Sequence, residues 1–412
     1  MKKIVSQNLA ITIISKLISF ISFIYIAKIL TESEYGIFVY ITMIISLLPL
    51  LQFGSMNGTM ILLPKYINDA NKDEEKLFFN YNVVSHLIQF IACFILFIFD
   101  IDVSYMLIII IALTFFISLQ VNNSIMFLYS KHEFEKANLI KLIDQILKPL
   151  VVLFMFYYYK NIDSIFYGQL IATITSLLTS VYFVKFNSLV QRFNFSEFKV
   201  HVKNIYQIGF FIYLTWAIDI LFRTADKWYI SQFYSLEELA TYGFTSSLAM
   251  NVWLLAMSFF APYAQVLYKY VAQEKFIDVK NTVESTNKKL YILLLIVSLV
   301  AIVSYPFVLE LIIKKYFDTE LLFFVLVVSA IFLSINNMYI YYMISNNFHF
   351  VLLRYQVFVL ILNLILNGFF AFYHFNILYY SYSTIISLVI YFILVRRYFY
   401  IDIAKKLEES KA

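Results

Sequence analysis

The residues best equipped to handle a substrate are charged side chains set inside apolar runs. Asp219, Arg223, Asp226 and Lys227 lie in YQIGFFIYLTWAIDILFRTADKWYISQFYSLEELATYGF, residues 206–244. Spaced i, i+4, i+7 and i+8, they fall on or near one face of a helix. Charges in a membrane segment are costly and usually face a bundle interior or a wet cavity. One reading is a cavity wall that offers cations to an anionic substrate, with carboxylates holding the cations in place. The other is structural: an Asp219–Arg223 pair at i, i+4, with Asp226 and Lys227 near the outer interface.

Lys16 adds a cation within the first apolar run, beside a neutral polar stripe of Thr12, Ser15, Ser19 and Ser22. Lys28, at the outer end of that run, reads as a snorkelling side chain. Lys141, Asp144, Gln145 and Lys148 form one polar face just before Pro149. Asp144 and Lys148 are candidates for a substrate port or an ion-coupling site, or else for a local i, i+4 bridge. His86 reads as a packed intramembrane histidine. Gln89, Asn123, Asn363, Asn367 and other intramembrane amides read as hydrogen bonds between helices, with sugar recognition as the alternative.

No H-E-x-x-H, Walker A, Gly-rich fingerprint or nucleophile elbow is present. A catalytic residue, a metal site and ATP hydrolysis are therefore not expected. The single cysteine, Cys93, excludes an intramolecular disulfide. The formal charge of +5 is spread over many short segments, so it bears on topology and not on nucleic acid.

These side chains must be positioned by membrane helices. Of 412 residues, 62% are hydrophobic and 14% charged, and the mean hydropathy is +0.79. A soluble domain carries about 25% charged residues. The apolar runs are continuous and not alternating, which points to helices over a barrel. A span needs about 20 mostly apolar residues. That rule gives about twelve: 9–30, 36–63, 79–99, 104–129, 139–159, 165–186, 206–229, 241–268, 289–312, 320–345, 350–373 and 376–399. The N-terminal run continues past Lys16 without a small-x-small site and reads as a retained span. Pro49, Pro262 and Pro306 imply kinks. With a cytoplasmic N-terminus, most Lys and Arg fall on the cytoplasmic side, so both termini are expected there. The external connections are short, which leaves little room for a transferase or polymerase domain.

A repeat divides the chain. YIAKILTESEYGIF (25–38) is echoed by YISQFYSLEELATYGF (229–244), and LLPKYIN (62–68) by VLYKYVA (266–272). Both echoes sit 204 residues apart, with the acidic loop between them differing by three residues. The expected fold is an all-α integral membrane protein of two six-helix lobes related by a parallel repeat. The lobes are 1–186 and 206–412, joined by a cytoplasmic linker at 187–205. Such halves commonly enclose a midplane cavity and alternate its access.

FIYIAKILTESEYGIF followed by LLQFGSMNGTMILLPKYINDANKDEEK resembles the opening spans of Wzx-type polysaccharide flippases, in the MATE/MOP superfamily. ADKWYISQFYSLEELATYGF, FFAPYAQVLYKY and SYPFVLELIIKKYF are similar to that family's later segments. The resemblance implies a transporter, not an enzyme. It implies passage of undecaprenyl-diphosphate-linked oligosaccharide, an O-antigen or related repeat unit, across the bacterial inner membrane. It implies a cavity in which Lys16 and Arg223 meet the diphosphate. It implies no cofactor, and it admits a proton or sodium gradient as the drive. Polysaccharide polymerase and chain-length proteins are the partners such a transporter would have. The carboxylates around Arg223 depart from the family's cationic cavity and leave room for a MATE-like exporter of organic cations.

Overall fold

The computed structural model describes residues 2–68, 72–94, 104–184 and 194–409, without the side chains of 2–13, 64–68, 72–78, 258–262, 265 and 312. Residues 95–103, which hold the end of the expected span 79–99 and the connection after it, residues 185–193, which hold the end of the span 165–186 and the start of the linker at 187–205, and the side chains of Thr12 and Pro262 lie outside the described residues. Apart from short turns, the described backbone is helical, as lipid requires of a chain that must satisfy its own amide groups. Its helices are α1 (Lys2–Ile29), α2 (Glu32–Leu47), α3 (Ser55–Asn68), α4 (Lys72–Cys93), α5 (Tyr105–Ser130), α6 (Phe134–Leu142), α7 (Lys148–Tyr159) and α8 (Ile162–Val184). They continue as α9 (Phe195–Phe233), α10 (Leu236–Ala272), α11 (Phe276–Ile312), α12 (Glu320–Ile335), α13 (Asn337–Ser345), α14 (His349–Phe372) and α15 (Leu378–Glu409).

Every expected span corresponds to a helix or to a pair of helical segments. Eight of the described stretches are long and apolar enough by themselves to cross a membrane. Three spans are interrupted: 36–63, where Pro49 implied a kink, 139–159, and 320–345, where a turn at Asn336 separates α12 from α13. The span at 36–63 passes from α2 into a 3-10 turn over Leu48–Gln52, with Pro49 in its first turn. Phe53 and Gly54 then take positive φ, 45° and 93°, before α3 starts. Proline removes a helical N–H there, and Gly54 tolerates the left-handed backbone. The span at 139–159 contains a π turn at Ile143–Leu147, followed by Pro149 in the first turn of α7.

Two compact units emerge: Met1–Leu30 with Ile44–Leu214, and Thr31–Met43 with Thr215–Ala412. In the first unit, α5 packs on α8, α7 on α8, and α1 on α7. Gly54 and Gly58 meet α9 so closely that a Cβ on Gly209 would lie 2.0 Å from the Gly54 carbonyl oxygen, and one on Gly58 would lie 2.1 Å from that of Ile205. Small residues thus let two backbones touch, the membrane counterpart of close helix packing. Some of the buried polar groups of this unit pair with one another. Asn82 donates to Thr59 at 3.2 Å and to Asn123 at 3.1 Å, and Gln89 donates to Ser55 at 2.8 Å.

In the second unit, α10 packs on α12, and α14 and α12 on α15. Phe244 stacks on Tyr316 with centroids 4.5 Å apart, and Tyr35 packs against both. The repeat reappears here as matched helix starts. Thr31 and Glu34 exchange hydrogen bonds across the first turn of α2, and Ser235 and Glu238 do the same at α10. Both are capping boxes, which satisfy two orphan amide donors reciprocally. They sit 204 residues apart, as do the first residues of α2 and α10. The connecting loops are therefore equal in length. The three-residue offset of the Tyr-Gly echo, expected in the loop, lies instead inside the helix.

Candidate functional site

Helix α9 carries the charged face. Arg223 and Lys227 suit a helix as straight-chain side chains, and the less helix-favouring Asp219 can pair with Arg223 across one turn. The pair forms: Arg223 donates to the Asp219 carboxylate at 2.7 Å, with both side chains about one third exposed. The Arg223 guanidinium also lies 5.1 Å from the centroid of the Trp253 ring on α10, a cation–π contact. Below the pair, Asp219 borders a cavity of about 30 Å³ lined also by Gln356 and Tyr391. That is room for about one water and none for a sugar.

Asp226 is placed differently from its neighbours. It is 6% exposed. Its carboxylate accepts from the Tyr242 hydroxyl on α10 at 2.5 Å, the Thr384 hydroxyl on α15 at 2.6 Å and the Asn367 amide on α14 at 2.8 Å. A further layer holds those donors. Asn367 also donates to Asn363 at 3.2 Å, Asn363 donates to Ser383 at 3.1 Å, and the Ser383 hydroxyl donates to Asn367. Among the described residues no Lys or Arg nitrogen lies within 4.0 Å of this carboxylate. A buried acid met only by neutral donors can keep its charge through those hydrogen bonds, or bind a proton or small cation. No group of three or more His, Cys, Asp or Glu able to hold a metal occurs among the described residues.

The remaining candidates divide. Lys227 is partly buried and follows Asp226 in sequence; the two charges interact electrostatically without an ion pair within 4.0 Å. Lys16 is exposed on α1, in the first compact unit. Asp144 and Lys148 come together at 3.5 Å across the π turn, the local bridge that their spacing allowed. Two side chains of α1 take up carbonyls at this break: Ser15 donates to Gln145 O at 2.7 Å and Ser22 to Pro149 O at 3.3 Å.

Sequence reasoning missed Tyr242, Ser383, Thr384 and Trp253 as part of the α9 site. Asn363 and Asn367 were legible as intramembrane amides one turn apart. Nothing in the sequence tied them to a carboxylate 141 residues away.

The comparisons agree with this architecture. The family model described as polysaccharide biosynthesis protein matches residues 2–274. No curated protein matches the chain. Among solved structures, it is similar to an inward-facing multidrug resistance MATE family transporter of the MOP superfamily. The TM-score is 0.80 at 13% identity, over 98% of this chain and 99% of that one. It is also similar to the lipid II flippase MurJ in an inward closed conformation, at TM-score 0.74 and 13% identity, over 94% and 86% of the two chains. A third likeness is to a MOP superfamily transporter from Pyrococcus furiosus, at TM-score 0.64 and 14% identity, over 98% and 96%. At such identity these likenesses establish the fold, a MATE-like multi-pass membrane fold.

Proposed function

We propose a lipid-linked glycan as the cargo, starting from the fact that the chain belongs to the polysaccharide biosynthesis protein family. The protein is a membrane transporter of the MOP-superfamily fold. In our reading it flips undecaprenyl-diphosphate-linked oligosaccharide, an O-antigen or related repeat unit, across a bacterial inner membrane. Both termini are cytoplasmic, and two six-helix lobes alternate access by rocking. The observation that carries the reading is the family match, joined to a fold shared with a lipid II flippase.

The roles follow from charge and depth. Lys16, Arg223 and Lys227 are the cations we assign to the diphosphate. Arg223 is pre-positioned by Asp219 on one side and Trp253 on the other. A guanidinium held in this way loses less side-chain entropy on meeting phosphate. Asp226 we assign to coupling. Its carboxylate ties α9 to α10, α14 and α15, so binding or loss of a proton or sodium ion there changes how four helices hold together. Asp144 and Lys148 mark the port at the α7 break.

A second reading, an ion-coupled exporter of organic cations, draws on Asp219 and Asp226 and on the MATE likeness. Deletion separates the two. In our reading the deletion strain accumulates lipid-linked repeat units inside the cell and loses surface glycan. Normal surface glycan with lost drug resistance would favour the exporter.

A further inference from the structure

A groove on the first compact unit has no part in the site above. It runs between α1 and α7, is lined by Ile21, Tyr25, Leu150, Leu153, Phe154 and Tyr157, and offers about 370 Å³ open along one side. That is within the usual range of small-ligand pockets, about 300–1,000 Å³. The lining is apolar, and Ile21, Leu150, Phe154 and Tyr157 remain well exposed.

The two helices are parallel and pinned. Ser15 meets the Gln145 carbonyl, Ser22 the Pro149 carbonyl, and the Tyr25 ring lies edge-on to Phe156 with centroids 6.0 Å apart. The residue numbers rise together along both helices, so the groove is preformed and its two ends are unlike. At the far end, Lys28 follows Tyr25 by three residues, on the same face as Ile21 and Tyr25. Lys160 follows Phe156 by four and closes α7 in the left-handed conformation, φ 50°. The two lysines thus reach the same level, and both are exposed. Neither has an ion pair within 4.0 Å among the described residues.

We propose that this groove holds the polyprenyl chain of a polyprenyl diphosphate lipid, with Lys28 and Lys160 on its diphosphate. The inference rests on the flippase reading and deepens it. On the proposed orientation, the lysines stand at the outer end of α1 and α7 and the groove descends from them toward the midplane. A lipid seated this way has outer-leaflet orientation, so the groove is an exit site for the cargo after it has crossed. Two features select the occupant. The slot lies between two adjacent helices and suits one chain, where a phospholipid brings two. Two cations at one rim match two adjacent phosphates, where a bulk phospholipid presents one. Ammonium groups bind phosphate as point charges and need no bidentate geometry.

The test places the photoreactive residue p-benzoylphenylalanine at 154 in the full chain. The chain is reconstituted in phosphatidylethanolamine–phosphatidylglycerol vesicles doped with undecaprenyl diphosphate, and the adducts are identified by mass spectrometry. The same residue at Leu295, exposed on α11, reports the bulk lipid mixture. The proposal predicts that undecaprenyl diphosphate is enriched at 154 over 295. It also predicts that Lys28→Gln with Lys160→Gln lowers the enrichment about tenfold, the loss of one or two charge-assisted contacts. Adducts at 154 that follow the bulk composition, or enrichment indifferent to both lysines, would overturn it. The flippase reading fails separately: a deletion strain with normal surface glycan sinks that reading whatever crosslinks at 154. Blocked export in that strain with bulk-like adducts sinks the groove alone.

Discussion

Asn367 on α14 donates its side-chain amide to the Asp226 carboxylate on α9 at 2.8 Å, across 141 residues of sequence. That contact fixes a carboxyl group in the interior of the second compact unit, where its hydrogen-bond donors are all neutral. The coupling role assigned to Asp226 depends on it.

Asp226→Asn keeps the size of the side chain and removes its charge for good. Expression and folding should survive, because hydroxyl groups such as those of Tyr242 and Thr384 can turn to accept instead of donate. Surface glycan export should fall on the order of tenfold and lose its response to a proton or sodium gradient. Asp226→Leu should be worse for stability, because three buried donors lose their acceptor at about 1–3 kcal/mol each. Gradient-dependent export by Asp226→Asn, measured in cells treated with ionophores, would remove the coupling role.

Arg223 and Lys16 carry the diphosphate assignment. Arg223→Ala and Lys16→Ala should reduce surface polysaccharide while membrane insertion stays intact. Exchanging the pair as Asp219→Arg with Arg223→Asp keeps the i, i+4 ion pair and moves the cation by one turn, about 5.4 Å. A structural role predicts that the exchange restores export; a phosphate contact predicts that it restores stability alone. Immunoblots of surface glycan, read beside thermal unfolding of the purified protein, separate the two.

Close backbone contact between Gly54 and Gly209 makes a sharper structural prediction. A Cβ at 209 would sit 2.0 Å from the Gly54 carbonyl oxygen, and backbone cannot swing aside as a side chain can. Gly209→Ala should cost at least about 1–3 kcal/mol, the range for overpacking. Gly368→Ala is the control, since its nearest neighbour is the Tyr229 hydroxyl at 3.4 Å, ordinary contact. Thermal unfolding in detergent should show a clear loss for the first and little for the second.

The matched capping boxes should respond alike. Thr31→Ala and Ser235→Ala each remove a side-chain acceptor at a helix start, at about 1 kcal/mol apiece. Hydrogen exchange in the first turns of α2 and α10 would report the local loosening. An effect at one helix and none at the other would break the equivalence inferred from the repeat.

Much of this molecule is legible in the sequence because lipid leaves the backbone few choices. The run at 104–129 is α5, Tyr105–Ser130, and that at 350–373 is α14, His349–Phe372. Hydropathy found these because their length is set by the bilayer. It missed the break at Phe53–Gly54 because apolar residues run through it. Pro49 and Gly54 mark that break, and only together do they turn a kink into a stop. The i, i+4 pairs Asp219–Arg223 and Asp144–Lys148 were legible because a helix fixes their spacing. The Asp226 cluster was not. Its acceptor, amides and hydroxyls come from four helices, and no local periodicity says which faces meet. Asp219 and Asp226 lie seven residues apart on one stripe, and the sequence offered a partner only for the first. Packing gave one an arginine and the other a tyrosine, a threonine and an asparagine.

Movement of a lipid-linked glycan across the membrane can be followed without cells. The direct measurement is reconstitution of the chain in vesicles carrying undecaprenyl-diphosphate-linked oligosaccharide in both leaflets. A membrane-impermeant glycosidase added outside reports how much glycan reaches the outer face. With the wild-type protein the whole pool should become cleavable. With Arg223→Ala and Lys16→Ala combined, only the fraction initially outside should be cleaved. Protection of the inner pool by the wild-type protein, with an imposed proton or sodium gradient of either sign, would contradict it.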